Sequence, residues 1–268
     1  MYFGILGPLE VADGSGAIRL RGPRQRILLT ALLSAVNEVV SVDLLTHWLW
    51  PTRVPPSAAA TIQEHVSRLR RALEPDRAPW SDSRLLVRRA PGYLLRAEPE
   101  QVDALRFEEL VGQGQTALER GQPAEAAQLL RWALQLWRGQ ALADVALVEA
   151  AQVTIARLES LRLSATVLRV DADLALGRHV ALVPELECLV RAYPLDERLC
   201  GQLMLALYRC GRQAQALAVY QHIREVLGEE LGIEPAPATQ RLWAAILAHE
   251  PDLDEFGAGS GSHLRLSS

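Results

Sequence analysis

Hydrophobic positions in the first hundred residues change period several times, and each change marks an element. Tyr2 to Val11 is β-rich and apolar, broken by Gly7-Pro8, and Ala17 to Leu20 follows a glycine-rich turn, so the chain is predicted to open with short strands. From there apolar residues recur three and four apart, at Ile27, Leu28, Ala31, Leu32 and Ala35, a helix face with Pro23 suited to its first turn. The other face of that helix carries Arg24 and Arg26. Ser41 is an N-cap candidate for a second, short helix with the stripe Leu44, Leu45, Trp48 and Leu49, ending at Pro51. The run PTRVPP cannot continue it, and a long helix restarts at Ser57 and is stopped after Glu74 by Pro75.

On this third helix Ile62, Val66, Leu69 and Leu73 fall within about 40° of one another at about 100° per residue, the mark of a buried stripe. Ala60, Glu64, Ser67, Arg68 and Arg71 point the other way, with Thr61, His65 and Arg70 at the edges. Arginine pairs bidentately with guanine or bonds phosphate, and Thr, Ser and His bond bases or backbone. The upstream positions are therefore expected to read bases and the arginines to hold phosphates. An isolated RxRR run is ordinarily a solvated helix face, but the residues downstream of this one change the picture. SRLLVRRA, then Pro91-Gly92, then YLLRA reads as a hairpin with Arg88 and Arg89 beside its turn and Tyr93 just after it. Helix, Pro-rich loop, basic helix and basic hairpin is the order of a winged helix-turn-helix, whose wing reaches an adjacent minor groove. The expected DNA contacts are Arg24 and Arg26 on the first helix, Thr61, Glu64, His65, Ser67, Arg68, Arg70 and Arg71 on the third, and Arg88, Arg89 and Tyr93 on the hairpin.

After Glu98 the texture becomes Ala- and Leu-rich, with turns at Gly121-Gln122-Pro123, Gly177-Arg178-His179 and Gly211-Arg212-Gln213. The last two glycines are 34 residues apart, the tetratricopeptide period, which puts Ala216 and Tyr220 at small and aromatic packing positions. Ala126 and Ala133 match in the Gly121 unit, and the Gly177 unit ends at Pro194. A stack of roughly three irregular helical hairpins is predicted, an architecture that usually contacts protein. The expected division is a winged helix over residues 1–97, tetratricopeptide-like helices over 98–250, and a disordered tail over 251–268, whose GAGSGS follows no strand and opens no helix. The fold class is thus mainly α with small β elements.

Composition narrows the chemistry. All 28 basic residues are Arg, so a P-loop lysine and a lysine Schiff base are both excluded. The net charge of −4 is unevenly divided: residues 1–98 hold 13 Arg against 9 acids (+4), and residues 99–268 hold 15 against 23 (−8). A basic half joined to an acidic half fits a nucleic-acid binder joined to a protein-interaction region. Cys188, Cys200 and Cys210 match neither a CxxC pair nor a zinc frame and read as buried thiols in a reducing cytosol. No basic segment precedes the first apolar residues and no apolar run reaches about 18 residues, so neither export nor membrane insertion is expected. His47, His65, His179, His222 and His249 show no HxxxH or HExxH spacing, so no catalytic residue, metal or cofactor is expected. Trp132, Trp137 and Trp243, at helical spacing in an apolar field, read as core.

The strings LGPLEV, GPRQRILLTALLSA, SAAATIQEHVSRLRRALEP and VRRAPGYLLR resemble the OmpR-type winged helix of the Streptomyces antibiotic regulatory proteins. VDALRFEELV, LWRGQALADV, the stretch from Gly177 to Tyr220, and EELGIEPAP resemble the bacterial transcriptional activator domain that comes after it, so the likeness runs from about residue 2 to about 250. The resemblance implies an activator of antibiotic biosynthetic genes, located in the cytoplasm at the nucleoid. It implies direct repeats near a promoter as the DNA target, side-by-side protomers on that DNA, and RNA polymerase with its sigma factor as protein partners. It also implies a polymerase-contacting loop, which maps to Thr52, Arg53, Val54, Pro55 and Pro56. Two other readings stand beside it: a helical-repeat adaptor that binds only protein, and a repressor using the same DNA contacts.

Overall fold

The computed structural model describes residues 1–78, 81–145, 148–250 and Leu253. The expected disordered tail therefore lies, apart from Leu253, outside the described residues. Helices dominate, with two small antiparallel sheets near the start, and a winged helix precedes a helical region.

The first sheet joins β1 (Tyr2–Gly4), β2 (Glu10–Asp13) and β3 (Gly16–Ala17), with Phe3 opposite Val11 and Ala12 opposite Ala17. The strand expected over Ala17 to Leu20 is shorter because the chain turns away at Gly22 (φ 93°), a left-handed position that glycine tolerates. Pro23 then opens α1 (Pro23–Leu33), which buries Leu28, Leu29 and Leu32. Val39–Ser41 forms β4, which the sequence pattern did not reveal, and α2 (Val42–Leu49) comes directly after it. Ser41 caps α2 as expected, its Oγ accepting from the Leu44 N–H at 3.1 Å. Leu45, Trp48 and Leu49 face α1 and α3 (Ala58–Leu73), whereas Leu44, expected in that stripe, is 46% exposed. The hairpin β5 (Leu86–Arg89) and β6 (Gly92–Leu95) completes a second sheet in the order β4-β6-β5.

The helical region comprises α4 (Asp103–Glu119), α5 (Pro123–Gln135), α6 (Glu149–Ala175), α7 (His179–Ala192), α8 (Glu197–Arg209), α9 (Gln213–Leu231) and α10 (Pro237–Ala248). The three glycine turns expected from the repeat pattern are built alike. Gly121, Gly177 and Gly211 all have φ between 71° and 75°. The N–H groups of Gln122, Arg178 and Arg212 each reach back to a carbonyl in the last helical turn, on Ala117, Asp173 and Leu207, at 2.9 Å. This is a Schellman closure, which ends a helix by satisfying its last carbonyls and leaves the chain free to reverse.

Contacts group the chain into two compact units, which cross the expected boundary at residue 97. The first is Met1–Gly112 with Trp132–Ser164, and the second is Gln113–Arg131 with the residues from Ala165 on. Within the first unit the fully buried Asp103 carboxylate accepts from the Ile5 and Leu6 N–H groups at 2.8 and 3.0 Å and from Arg138 at 3.2 Å. Burial pushes the Asp103 carboxyl up, and those N–H donors and Arg138 pull it back. Trp137 is core as expected, packed edge-on against Phe107 at 5.5 Å with Arg162 over its ring at 4.6 Å.

Within the second unit α7 packs on α8, α8 on α9, and α10 on both α8 and α9. Ala216, Tyr220 and Ala126 occupy the buried positions assigned to them, and Trp243 stacks on Tyr220 at 4.9 Å. Asp173 on α6 gathers Arg131, Arg169 and Arg178.

Two expectations about these helices need correction. Trp132 is 50% exposed, because α5 buries Ala126, Ala127, Leu130 and Ala133, and Trp132 lies about 200° from Leu130 around the helix. Of the three thiols only Cys200 is buried, which pushes its pKa up to about 12, while Cys188 is exposed and Cys210 half-buried. Cys188 sits about 200° from the buried Leu186 on α7.

Candidate nucleic-acid interface

The orientation of α3 is set by its apolar stripe. Ile62, Val66, Leu69 and Leu73 are buried, and Ala60, Glu64, Ser67, Arg68 and Arg71 are exposed on the other side. The two flanks between these faces meet different neighbours. One flank, carrying Ala59, Gln63 and Arg70, faces the hairpin: Arg70 Nε donates to the Leu86 carbonyl at 2.9 Å, and Ala59 and Gln63 line a recess with Arg88, Ala90 and Pro91. The hairpin thus runs alongside α3, its base near Arg70 and its tip near the first helical turn. The other flank carries Thr61 and His65, and Arg24 at the start of α1 lies close enough to bear on the His65 charge.

The hairpin is held by its own chemistry. Glu74, just past the end of α3, accepts from the Ser83 hydroxyl and from the Arg84 N–H at 2.8 Å. Ser83 Oγ in turn accepts from the Leu86 N–H at 2.9 Å, which sets the start of β5. Gly92 sits where β6 crosses closest to β4: a Cβ there would stand 1.8 Å from the Val40 carbonyl oxygen. Arg88 pairs with Tyr93 and Arg89 with Gly92, so the two exposed arginines leave the strand on opposite faces. Arg88 shares the recess with Gln63.

Several candidate residues stand open to a ligand. Ser67, Arg71, Arg88 and Arg89 are exposed. Arg68 is exposed and ion-paired to Glu64 one turn earlier. Arg24 is exposed with its guanidinium 5.6 Å from the centre of the Trp50 ring. Thr61 is half-buried and donates its hydroxyl proton to the Ser57 carbonyl at 3.0 Å. Thr52, Arg53, Val54 and Pro56 are exposed and Pro55 is half-buried, so the loop before α3 is accessible.

Four other candidates are placed differently from the expectation. Arg26 is committed to Asp144, its Nε donating at 2.7 Å, and to the Leu9 carbonyl at 3.0 Å. His65 is 9% exposed because it lies only about 60° from Ile62 around the helix; burial first, then Arg68, lowers its pKa. Arg70 is half-buried with its Nε–H on the Leu86 carbonyl, and burial lowers its pKa. Tyr93 is 3% exposed, and it lines the same recess as Val42, Ala59 and Gln63. In exchange the geometry adds Gln63, an exposed amide beside the wing. Its sequence signal was a polar residue about 100° from the stripe, with no charge to mark it.

A helix with an open arginine face, flanked by a wing with two more arginines and succeeded by helical hairpins, defines a DNA-binding transcription regulator of the OmpR winged-helix type. Residues 17–95 match the family described as transcriptional regulatory protein, C terminal, and residues 102–247 match the bacterial transcriptional activator domain. The chain is 38% identical to the regulatory protein DnrI of Streptomyces peucetius over 264 residues, covering 96% of both chains. It is 39% identical to the regulatory protein AfsR of Streptomyces coelicolor, of which it spans 25%. The solved structure of Mycobacterium tuberculosis EmbR in complex with a low-affinity phosphopeptide superposes with a TM-score of 0.87 at 31% identity, over 94% of this chain and 68% of that one. The chain belongs to the Streptomyces antibiotic regulatory protein family of transcriptional activators. Among the described residues no helix is long and apolar enough to cross a membrane, and no group of three or more His, Cys, Asp or Glu could hold a metal ion.

Proposed function

We propose that the chain activates a secondary-metabolite, antibiotic-type gene cluster by binding direct repeats near its promoter and recruiting RNA polymerase with its sigma factor. The observation that carries this reading is the open face of α3, where Ser67, Arg68 and Arg71 stand exposed beside a wing that bears Arg88 and Arg89. α3 enters the major groove, its arginines hold phosphates, and the wing reaches the neighbouring minor groove. The exposed Thr52 to Pro56 loop meets polymerase, two protomers sit side by side on tandem sites, and the acidic helical region supplies further protein contacts. The work is done in the cytoplasm, on the nucleoid.

The test is retardation of a duplex bearing a direct repeat. Affinity is expected to fall steeply with salt, because phosphate contacts release counterions, and each lost phosphate contact is expected to lower the log–log salt slope by about 1. Arg68→Ala combined with Arg71→Ala is expected to weaken binding at least about tenfold and to flatten that slope by about 2. Unchanged affinity and slope would remove α3 from the interface.

A further inference from the structure

One polar side chain at the interface does nothing for the fold. Gln63 is exposed on the wing-facing flank of α3, and among the described residues its carboxamide has no hydrogen-bond partner. Its flank neighbours differ from it: Arg70 is half-buried and gives its Nε–H to the Leu86 carbonyl, and Ala59 ends in a methyl group. The recess beside Gln63 is lined by Val42, Ala59, Ala90, Pro91 and Tyr93, with Arg88 bringing the one charge. It is a mostly apolar notch, next to a free amide and adjoining an arginine-bearing face.

That combination has a chemical complement. A carboxamide offers an acceptor and a donor side by side, which matches adenine N6–H and N7 in the major groove, whereas guanine presents two acceptors and cytosine a single donor. Thymine places a 5-methyl group in the same groove, which an apolar notch accepts more readily than water does. The geometry points to an A·T reader: Gln63 accepts from adenine N6–H and donates to N7, and Val42 and Ala59 receive the methyl of a neighbouring thymine. Arg88 holds phosphate at the rim. The inference rests on the DNA-binding reading of α3 and specifies which bases its wing-side flank selects.

Duplexes are selected from a randomised library with the full chain and with Gln63→Ala and Gln63→Glu. The unaltered chain is expected to enrich adenine at a position that Gln63→Ala leaves unselected, with the remaining positions unchanged. Gln63→Ala is expected to bind the unaltered chain's consensus at least about tenfold more weakly. Gln63→Glu is expected to shift that position toward cytosine, whose N4 amine donates to a carboxylate. Replacing the neighbouring thymine by deoxyuridine, which removes only the methyl, is expected to weaken the unaltered chain about fourfold. Equal melting temperatures, expected for an exposed residue, separate a lost contact from a lost fold. An identical consensus and affinity for Gln63→Ala overturns the base reading, and equal binding of thymine and deoxyuridine duplexes overturns the role of the notch. Failure of the unaltered chain to enrich any sequence overturns the DNA-binding reading itself, an outcome distinct from both.

Discussion

His65 is a basic side chain at the edge of a phosphate-facing helix, yet it is buried, and among the described residues its Nδ1 has no hydrogen-bond partner. Burial foremost, then the charge of Arg68, lowers its pKa, with Glu64 opposing. An unfolded imidazole protonates near pH 6.5, the folded one only at lower pH. As pH falls through about 6.5 the unfolded chain takes up a proton that the folded chain refuses, so stability is full above that value and is lost below it. The melting temperature of the unaltered chain is expected to fall more between about pH 7 and about pH 5.5 than that of His65→Gln. Equal falls would contradict a buried neutral imidazole. Arg68 is held only loosely by comparison. Its exposed pair with Glu64 is of a kind worth about 0.3–0.5 kcal/mol, so its release to a phosphate costs the fold little.

At the scale of elements the wing depends on Gly92. An alanine Cβ placed 1.8 Å from the Val40 carbonyl forces β4 and β6 apart, so Gly92→Ala is expected to cost at least about 2 kcal/mol and to weaken DNA retardation. Thermal melting by circular dichroism checks the first, and an unchanged midpoint would refute the close approach. Elements marked by local chemistry were legible in the sequence: the Ser41 cap, the Pro91-Gly92 turn, the α3 stripe and the three glycine closures each carry their signal within a few residues. β4 was not legible, because a three-residue strand has too few positions to display a period and exists here by pairing with β6. The burial of Tyr93 is not legible for a similar reason, since it depends on residues of α2 and α3 that line its recess. Trp132 and Cys188 were misplaced because α5 and α7 carry apolar residues on more than one face, which blurs the buried stripe.

At the scale of the molecule, what escaped the sequence was contact between residues far apart along the chain. Arg26 looked like a DNA contact because it is basic and near the start of α1, but its partner Asp144 lies 118 residues away. Asp103 opens α4, and nothing near it along the chain shows that its carboxylate is buried under the Ile5 and Leu6 N–H groups within the first compact unit. These bonds join α1 and the loop after β1 to segments beyond the winged helix. The charge division follows the sequence and not the compact units: residues 1–98 carry +4, which phosphates attract, and residues 99–268 carry −8, which phosphates repel.

The most direct test places a photo-crosslinking amino acid at Ser67 on the open face of α3, and in a second chain at the exposed Val153 of α6. Each full chain is irradiated on a duplex that the unaltered chain retards. Position 67 is expected to crosslink to bases or sugars inside the bound site and position 153 to give no DNA adduct. Adducts from position 153 with none from position 67, on a duplex both chains still bind, would place a different surface on the DNA.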